Sequence, residues 1–161
     1  MNCTKIFLIV ACIILFSQTV FGEEKQGPLK FTIGSDQTTH ATSDRVIVRL
    51  EIENVSGADV DVVDFQQVQS WLLSAQVVSF EIKDADGKIY PLEGPVVDYW
   101  PGERVTRLNK GGKMETSLII NDVNAKNYYR MGKQSTYTIT AHYYGWEEQT
   151  VASNTIKITL E

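Results

Sequence analysis

The 161-residue chain has two cysteines, Cys3 and Cys12, and none after them. Past residue 22 it also has no long apolar run, and its two histidines, His40 and His142, stand far apart. Each lack excludes something. Without cysteine there are no disulfides to staple the body of the chain, so stability must come from core packing and sheet hydrogen bonding. A membrane-spanning helix needs about 20 apolar residues, so no stable span is expected. Neither histidine has a second His, Cys or Glu at metal-ligand spacing, so no metal site is expected. There is no Gly-x-Ser-x-Gly elbow and no Gly-rich loop opening a helix, which leaves nucleophilic catalysis and nucleotide binding unsupported. The reading is of a non-enzymatic protein without cofactor.

What is present begins with the first 22 residues. Met1–Lys5 forms a short basic start, Ile6–Phe16 an apolar run, and Val20-Phe21-Gly22 an apolar-to-small boundary before Glu23. This is the pattern of a cleaved secretory signal. It implies a secreted or periplasmic product of 139 residues, a usual size for one domain. Ile9-Val10-Ala11-Cys12 also fits a lipoprotein processing site with a lipid on Cys12, but Ile13–Phe16 would then leave an apolar stretch behind the anchor. The absence of cysteine in an exported domain points toward a bacterial periplasm or cell surface. With Lys5 removed, 14 basic residues face 20 acidic ones. A negative field opposes nucleic acid and anionic lipid as partners.

Residues 23–28 read as a flexible leader, with Gly27-Pro28 at its end, and the domain spans 29–161. Val46, Val48, Leu50 and Ile52 alternate with Ile47, Arg49, Glu51 and Glu53, giving a strand with one buried face. Asn54–Ala58 is a turn, and Asp59–Val63 is expected to return antiparallel to that strand. Val77–Leu92 reads as a hairpin around Asp84-Ala85-Asp86-Gly87, with Gly87 at a position of positive φ. A loop is expected from Glu93 to Gly112. Met114, Thr116, Leu118 and Ile120 form another alternating strand, and Asn124–Met131 a short helical turn. Two closing strands carry Tyr137, Ile139, Ala141 and Tyr143, then Ile156, Ile158 and Leu160. Seven to eight short strands without a long helix indicate an all-β, antiparallel β-sandwich.

In Leu50–Ser56 (LEIENVS), Phe80–Tyr90 (FEIKDADGKIY), Tyr137–Tyr143 (YTITAHY) and Ser153–Ile158 (SNTIKI), the chain resembles immunoglobulin-like modules of bacterial secreted proteins. The hairpin region is similar to the bacterial intracellular proteinase inhibitor family, and the chain is also similar to the sandwich domain preceding deuterolysin-type metallopeptidases. The resemblance covers about two thirds of the mature chain and implies an immunoglobulin-like fold. The inhibitor likeness alone suggests protease inhibition. A shared fold does not carry function with it.

Several residue groups bear on chemistry. Asp84-x-Asp86-Gly87 has the opening spacing of a calcium loop but lacks the remaining ligands, so a hairpin turn is the reading. Asp59 and Asp61 would share one strand face, where a weak cation site is a minor alternative. Asn54-Val55-Ser56 fits the glycosylation acceptor pattern and reads as chance. Glu103-Arg104, Arg107 and Lys110 give the long loop a mild positive spot. Tyr137, near the start of its strand, suits a tyrosine corner. Trp71, Leu72 and Leu73 read as core. The binding candidates are Tyr99 and Trp100, and Tyr144 and Trp146, because these rings adjoin turn residues, where aromatic side chains supply contact area at little entropic cost. The competing reading places Trp100 and Trp146 as caps on the core. A protein partner is the expectation, with glycan binding through the same rings as the alternative.

Overall fold

A computed structural model describes residues 27–64, 73, 77–95, 105–125, 127–145 and 150–161. The elements whose bounds it describes are eleven strands: β1 (Leu29–Gly34), β2 (Thr39–His40), β3 (Ile47–Asn54), β4 (Val60–Val63), β5 (Val78–Lys83), β6 (Leu92–Glu93), β7 (Val105–Leu108), β8 (Lys113–Ile119), β9 (Tyr128–Tyr129), β10 (Ser135–Tyr144) and β11 (Thr150–Leu160). Eight are four residues or longer, in line with the number of strands expected from alternation.

One layer has the order β1-β3-β8, antiparallel throughout. The other has the order β2-β11-β10-β5, in which β10 pairs antiparallel with both neighbours and β2 joins β11 in parallel. The inward faces are the alternating sets: Val48, Leu50 and Ile52 on β3 and Tyr137, Ile139, Ala141 and Tyr143 on β10 have no exposed surface. Aromatic rings cross the gap, with Phe31 and Tyr143 centroids 5.9 Å apart. A chain that moves from one layer (β1) to the edge of the other (β2), with the last strand beside it, has immunoglobulin-like topology. The Tyr137 hydroxyl donates to the Lys133 carbonyl at 2.9 Å, which is the tyrosine corner of such a fold.

The open sides of the sandwich are closed by side chains. On one, the Asn154 amide accepts from the Ile33 N–H at 2.9 Å and donates to the Ile33 carbonyl at 3.0 Å, so β11 completes the bonding of β1 without a strand pair. On the other, Tyr129 donates its backbone N–H to Ile120 beyond β8, while its hydroxyl accepts from the Phe80 N–H of β5 at 2.8 Å. Unpaired strand edges invite association with other chains, and both contacts use edge groups internally.

Three expectations are corrected. Residues 59–63 do not return along β3: β4 pairs antiparallel with β7. Val62 and Val63, adjacent in sequence, are both fully buried, so this strand is covered on two faces and its alternation does not report its partner. The stretch from Glu93 to Gly112 is not all loop, since Glu93 belongs to β6 and Val105–Leu108 to β7. Asn124–Met131 contains no described helical turn. Asp122 accepts the Ala125 N–H at its carbonyl and the Asn124 N–H at its side chain, forming a tight turn, after which β9 pairs with β6. The hairpin around Asp84 is present with Gly87 at φ 79°, though its return strand amounts to the Ile89 bridge and the Tyr90 N–H bonded to Ile82.

Candidate functional site

Strand β10 buries Tyr143 and turns the next residue outward. Tyr144 is 44% exposed, with its N–H bonded to the Val77 carbonyl at 2.9 Å and its hydroxyl accepting from Ser79 Oγ at 3.4 Å. Rigid backbone and a loosely held ring coincide at this strand end. Of the four aromatic candidates, Tyr144 is the one placed. Tyr99, Trp100 and Trp146 lie outside the described residues, as do Trp71 and Leu72, whereas Leu73 is buried.

The neighbours of Tyr144 follow from strand direction. Ile33 lies beside Asn154 and His40 pairs with Leu160, so β1 and β11 run the same way. Leu29, Asn54 and Gly112 therefore share an end of the sandwich with Thr150 and Tyr144. Two turns there are joined by one buried side chain. Asn54, 1% exposed, donates from Nδ2 to the carbonyls of Ala58 (2.8 Å) and Leu108 (2.9 Å) and accepts at Oδ1 from the Ser56 N–H and hydroxyl. Its backbone bonds Gly111 and Gly112 across the β7–β8 turn, where Gly111 sits at φ 69°. Both Nδ2 protons are committed and the group is enclosed, so the folded protein does not present the acceptor motif at Asn54 for glycosylation. The result is a tightly bonded pair of turns at the same end of the sandwich as Tyr144.

The charged candidates are occupied locally. Arg107 pairs with Asp61 at 3.2 Å, and the backbone N–H of Lys110 donates to Asp59 at 3.1 Å, so of the described cations in the mild positive spot Arg107 is the one matched by an acid. Glu103 and Arg104 lie outside the described residues. Asp84 is spent on its own turn. One oxygen accepts from the Asp86 and Lys88 N–H groups and the other from the Tyr90 hydroxyl at 3.0 Å. Burial pushes this carboxyl up, but these hydrogen bonds outweigh it and hold the group below the ordinary Asp value. Burial, followed by the bond to Asp84, raises the Tyr90 hydroxyl well above its usual range. Among the described residues, no three His, Cys, Asp or Glu side chains are grouped to hold a metal ion, and no helix is long and apolar enough to cross a membrane.

The opposite end carries a feature absent from the sequence reading. The β1–β2 and β2–β3 connections enclose a groove of about 470 Å³ lined by residues that include Asp36, His40, Asp44 and Arg45. No periodic signal marked it, because its residues come from two polar connections and meet only when β2 docks on β11.

No protein-family model matches the chain, and no curated protein matches it. Two solved structures are similar to it at low identity. The CARDB domain of a Pyrococcus furiosus protein, in complex with di-metal ions, is 11% identical with a TM-score of 0.42, covering 83% of this chain and 87% of that one. Pseudomonas fluorescens alkylpurine DNA glycosylase AlkC, bound to DNA containing an abasic site analog, is 11% identical with a TM-score of 0.44, covering 83% of this chain and 30% of its own longer chain. Neither the metal ions nor the DNA carries over from likenesses of this order.

Proposed function

We propose that this protein is an exported, non-enzymatic binding module, carried out of the cytoplasm by its first 22 residues, that engages a protein partner in the cell envelope or outside the cell. The contact surface is the end formed by Tyr144 and the turns welded by Asn54, together with the segments holding Tyr99, Trp100 and Trp146. The observation that carries this reading is the half-exposed Tyr144 ring on a fixed strand end. An exposed aromatic ring on a strand end fixed by backbone bonding suits protein recognition, because an aromatic side chain supplies contact area at little entropic cost. The test compares wild type with Tyr144→Ala/Trp146→Ala in capture from the envelope and medium, followed by direct titration of the captured protein. Binding lost in the variant, with the melting temperature held within about 3 °C, supports the reading. Equal binding by both proteins, or collapse of the variant, overturns it.

A second reading is glycan binding, favoured by hydroxyls on the outer face behind Tyr144, where Thr140 and Thr155 bond at 2.7 Å and Thr136 and Thr159 at 3.1 Å. Saturable tryptophan quenching by a polysaccharide would select it, and flat titrations across a broad glycan panel would remove it. Among protein partners, a protease is the class suggested by the hairpin's likeness to an inhibitor family, and stoichiometric inhibition is its signature.

A further inference from the structure

The groove at the end opposite Tyr144 presents several hydrogen-bond acceptors. His40 lines it and is only 8% exposed. Its Nε2 lies 3.2 Å from the Gln37 carbonyl, which can only accept, so Nε2 donates there and Nδ1 takes no part in that bond. No partner meets Nδ1 among the described residues. Ser35 spends its hydroxyl proton on the Ile47 carbonyl at 3.1 Å, leaving oxygen lone pairs. Asp36 receives Arg49 at Oδ1, and Asp44 receives the Ala41 N–H at Oδ2, so each carboxylate keeps a second oxygen. Arg45, which lines both this groove and an adjoining hollow, is paired at 3.0 Å with Asp122 of that hollow.

We propose that this groove binds an organic cation through a primary ammonium or guanidinium head. Such a head supplies three or five N–H donors from one small charged group, enough to meet the open oxygens of Ser35, Asp36 and Asp44 together. Ile47, 44% exposed at the lining, offers apolar surface for an alkyl stem. A metal ion fits poorly, since the acidic and histidine side chains do not converge as a ligand group. The chain's net charge of −5 favours the approach of a cation. The head could belong to a free alkyl amine or to a Lys or Arg side chain of another protein.

Amide NMR of the full chain at about 0.15 M salt tests this, with putrescine, a lysine-containing peptide, tetramethylammonium and xylitol as probes. Putrescine or the peptide is expected to shift the amides of residues 35–47 saturably, with half-saturation below about 10 mM. Tetramethylammonium, which has charge but no N–H, and xylitol, which has donors but no charge, are expected to leave them still. Asp36→Asn combined with Asp44→Asn should weaken binding at least tenfold. The side-chain carbonyl introduced by Asp44→Asn still accepts the Ala41 N–H, so an unchanged spectrum elsewhere verifies the fold, and Asp36→Asn alone serves as the milder variant. Tighter binding of the peptide than of putrescine identifies a protein as the source of the head, and equal binding identifies a free amine. Equal response to tetramethylammonium, response to xylitol alone, no saturation by either amine, or no effect of the Asp changes overturns the proposal.

Discussion

Tyrosine does in this domain part of what disulfides do in other small folds. Four buried phenols each satisfy a group some distance away: Tyr143 accepts the Val63 N–H at 2.8 Å, Tyr129 the Phe80 N–H, Tyr137 bonds Lys133 and Tyr90 bonds Asp84. Tyr143→Phe keeps the ring but strands a buried N–H, so it should cost about 1–3 kcal/mol in denaturant unfolding, while Tyr144→Phe should cost almost nothing. Burial raises the Tyr129 hydroxyl from 10.0 to about 12, and raises Tyr143 as well. The unfolded chain releases these protons near pH 10 and the folded chain holds them, so stability is full below pH 10 and falls as pH rises toward 12. Phenolate absorbance and loss of sheet signal should therefore appear together in an alkaline titration; phenolate forming while the sheet signal persists would contradict this account. The Tyr137 corner was legible in sequence because its partner is four residues away. The bonds of Tyr129 and Tyr143 were not, because their partners lie 49 and 80 residues off and strand alternation says only that these rings point inward.

At the level of elements, alternation located β3, β8 and β10, since each has one face in the core and the other in water, and found the closing half of β11, whose first half buries no residue. It could not assign the partner of β4, where both faces are covered, nor find β6 and β9, which are two residues long and exist by pairing with each other. The Asn54–Ala58 turn was recognisable from its polar and glycine residues, but not the part Asn54 plays in tying it to the β7–β8 turn. Asn54→Ala removes four side-chain bonds at a buried position and should cost on the order of 3 kcal/mol by chemical denaturation, whereas Ser56→Ala should cost less than half as much. Gly87→Ala forces a side chain into a left-handed conformation and should cost about 1 kcal/mol, with no clash to add because the space around it is open. At the Asp84 turn the depressed carboxyl stabilises the fold above the ordinary Asp range, and that contribution is lost as pH falls through the folded value. Asp84→Asn should flatten the acid limb of the stability profile; an unchanged limb would assign acid sensitivity elsewhere.

Over the whole molecule, the sandwich was readable from strand count and punctuation, while the groove at His40 was not, because it depends on one short strand crossing between layers. Asn154 closes one open side through two hydrogen bonds to a single residue. Asn154→Ala should therefore expose the edge of β1, lowering stability by about 1–2 kcal/mol and promoting concentration-dependent association by light scattering. A variant that stays monomeric at high concentration would show that this edge needs no such cover. The arrangement of the two terminal strands also bears on mechanics. Leu29 and Glu161 lie at opposite ends, and β1 and β11 point the same way. Tension applied between them pulls β1 along β3 and β11 along β10, so the six and nine register pairs of these ladders are strained together in shear rather than opened one after another. A domain tethered at its start and gripped at its end would resist extension by breaking many weak bonds at once, and would give way abruptly.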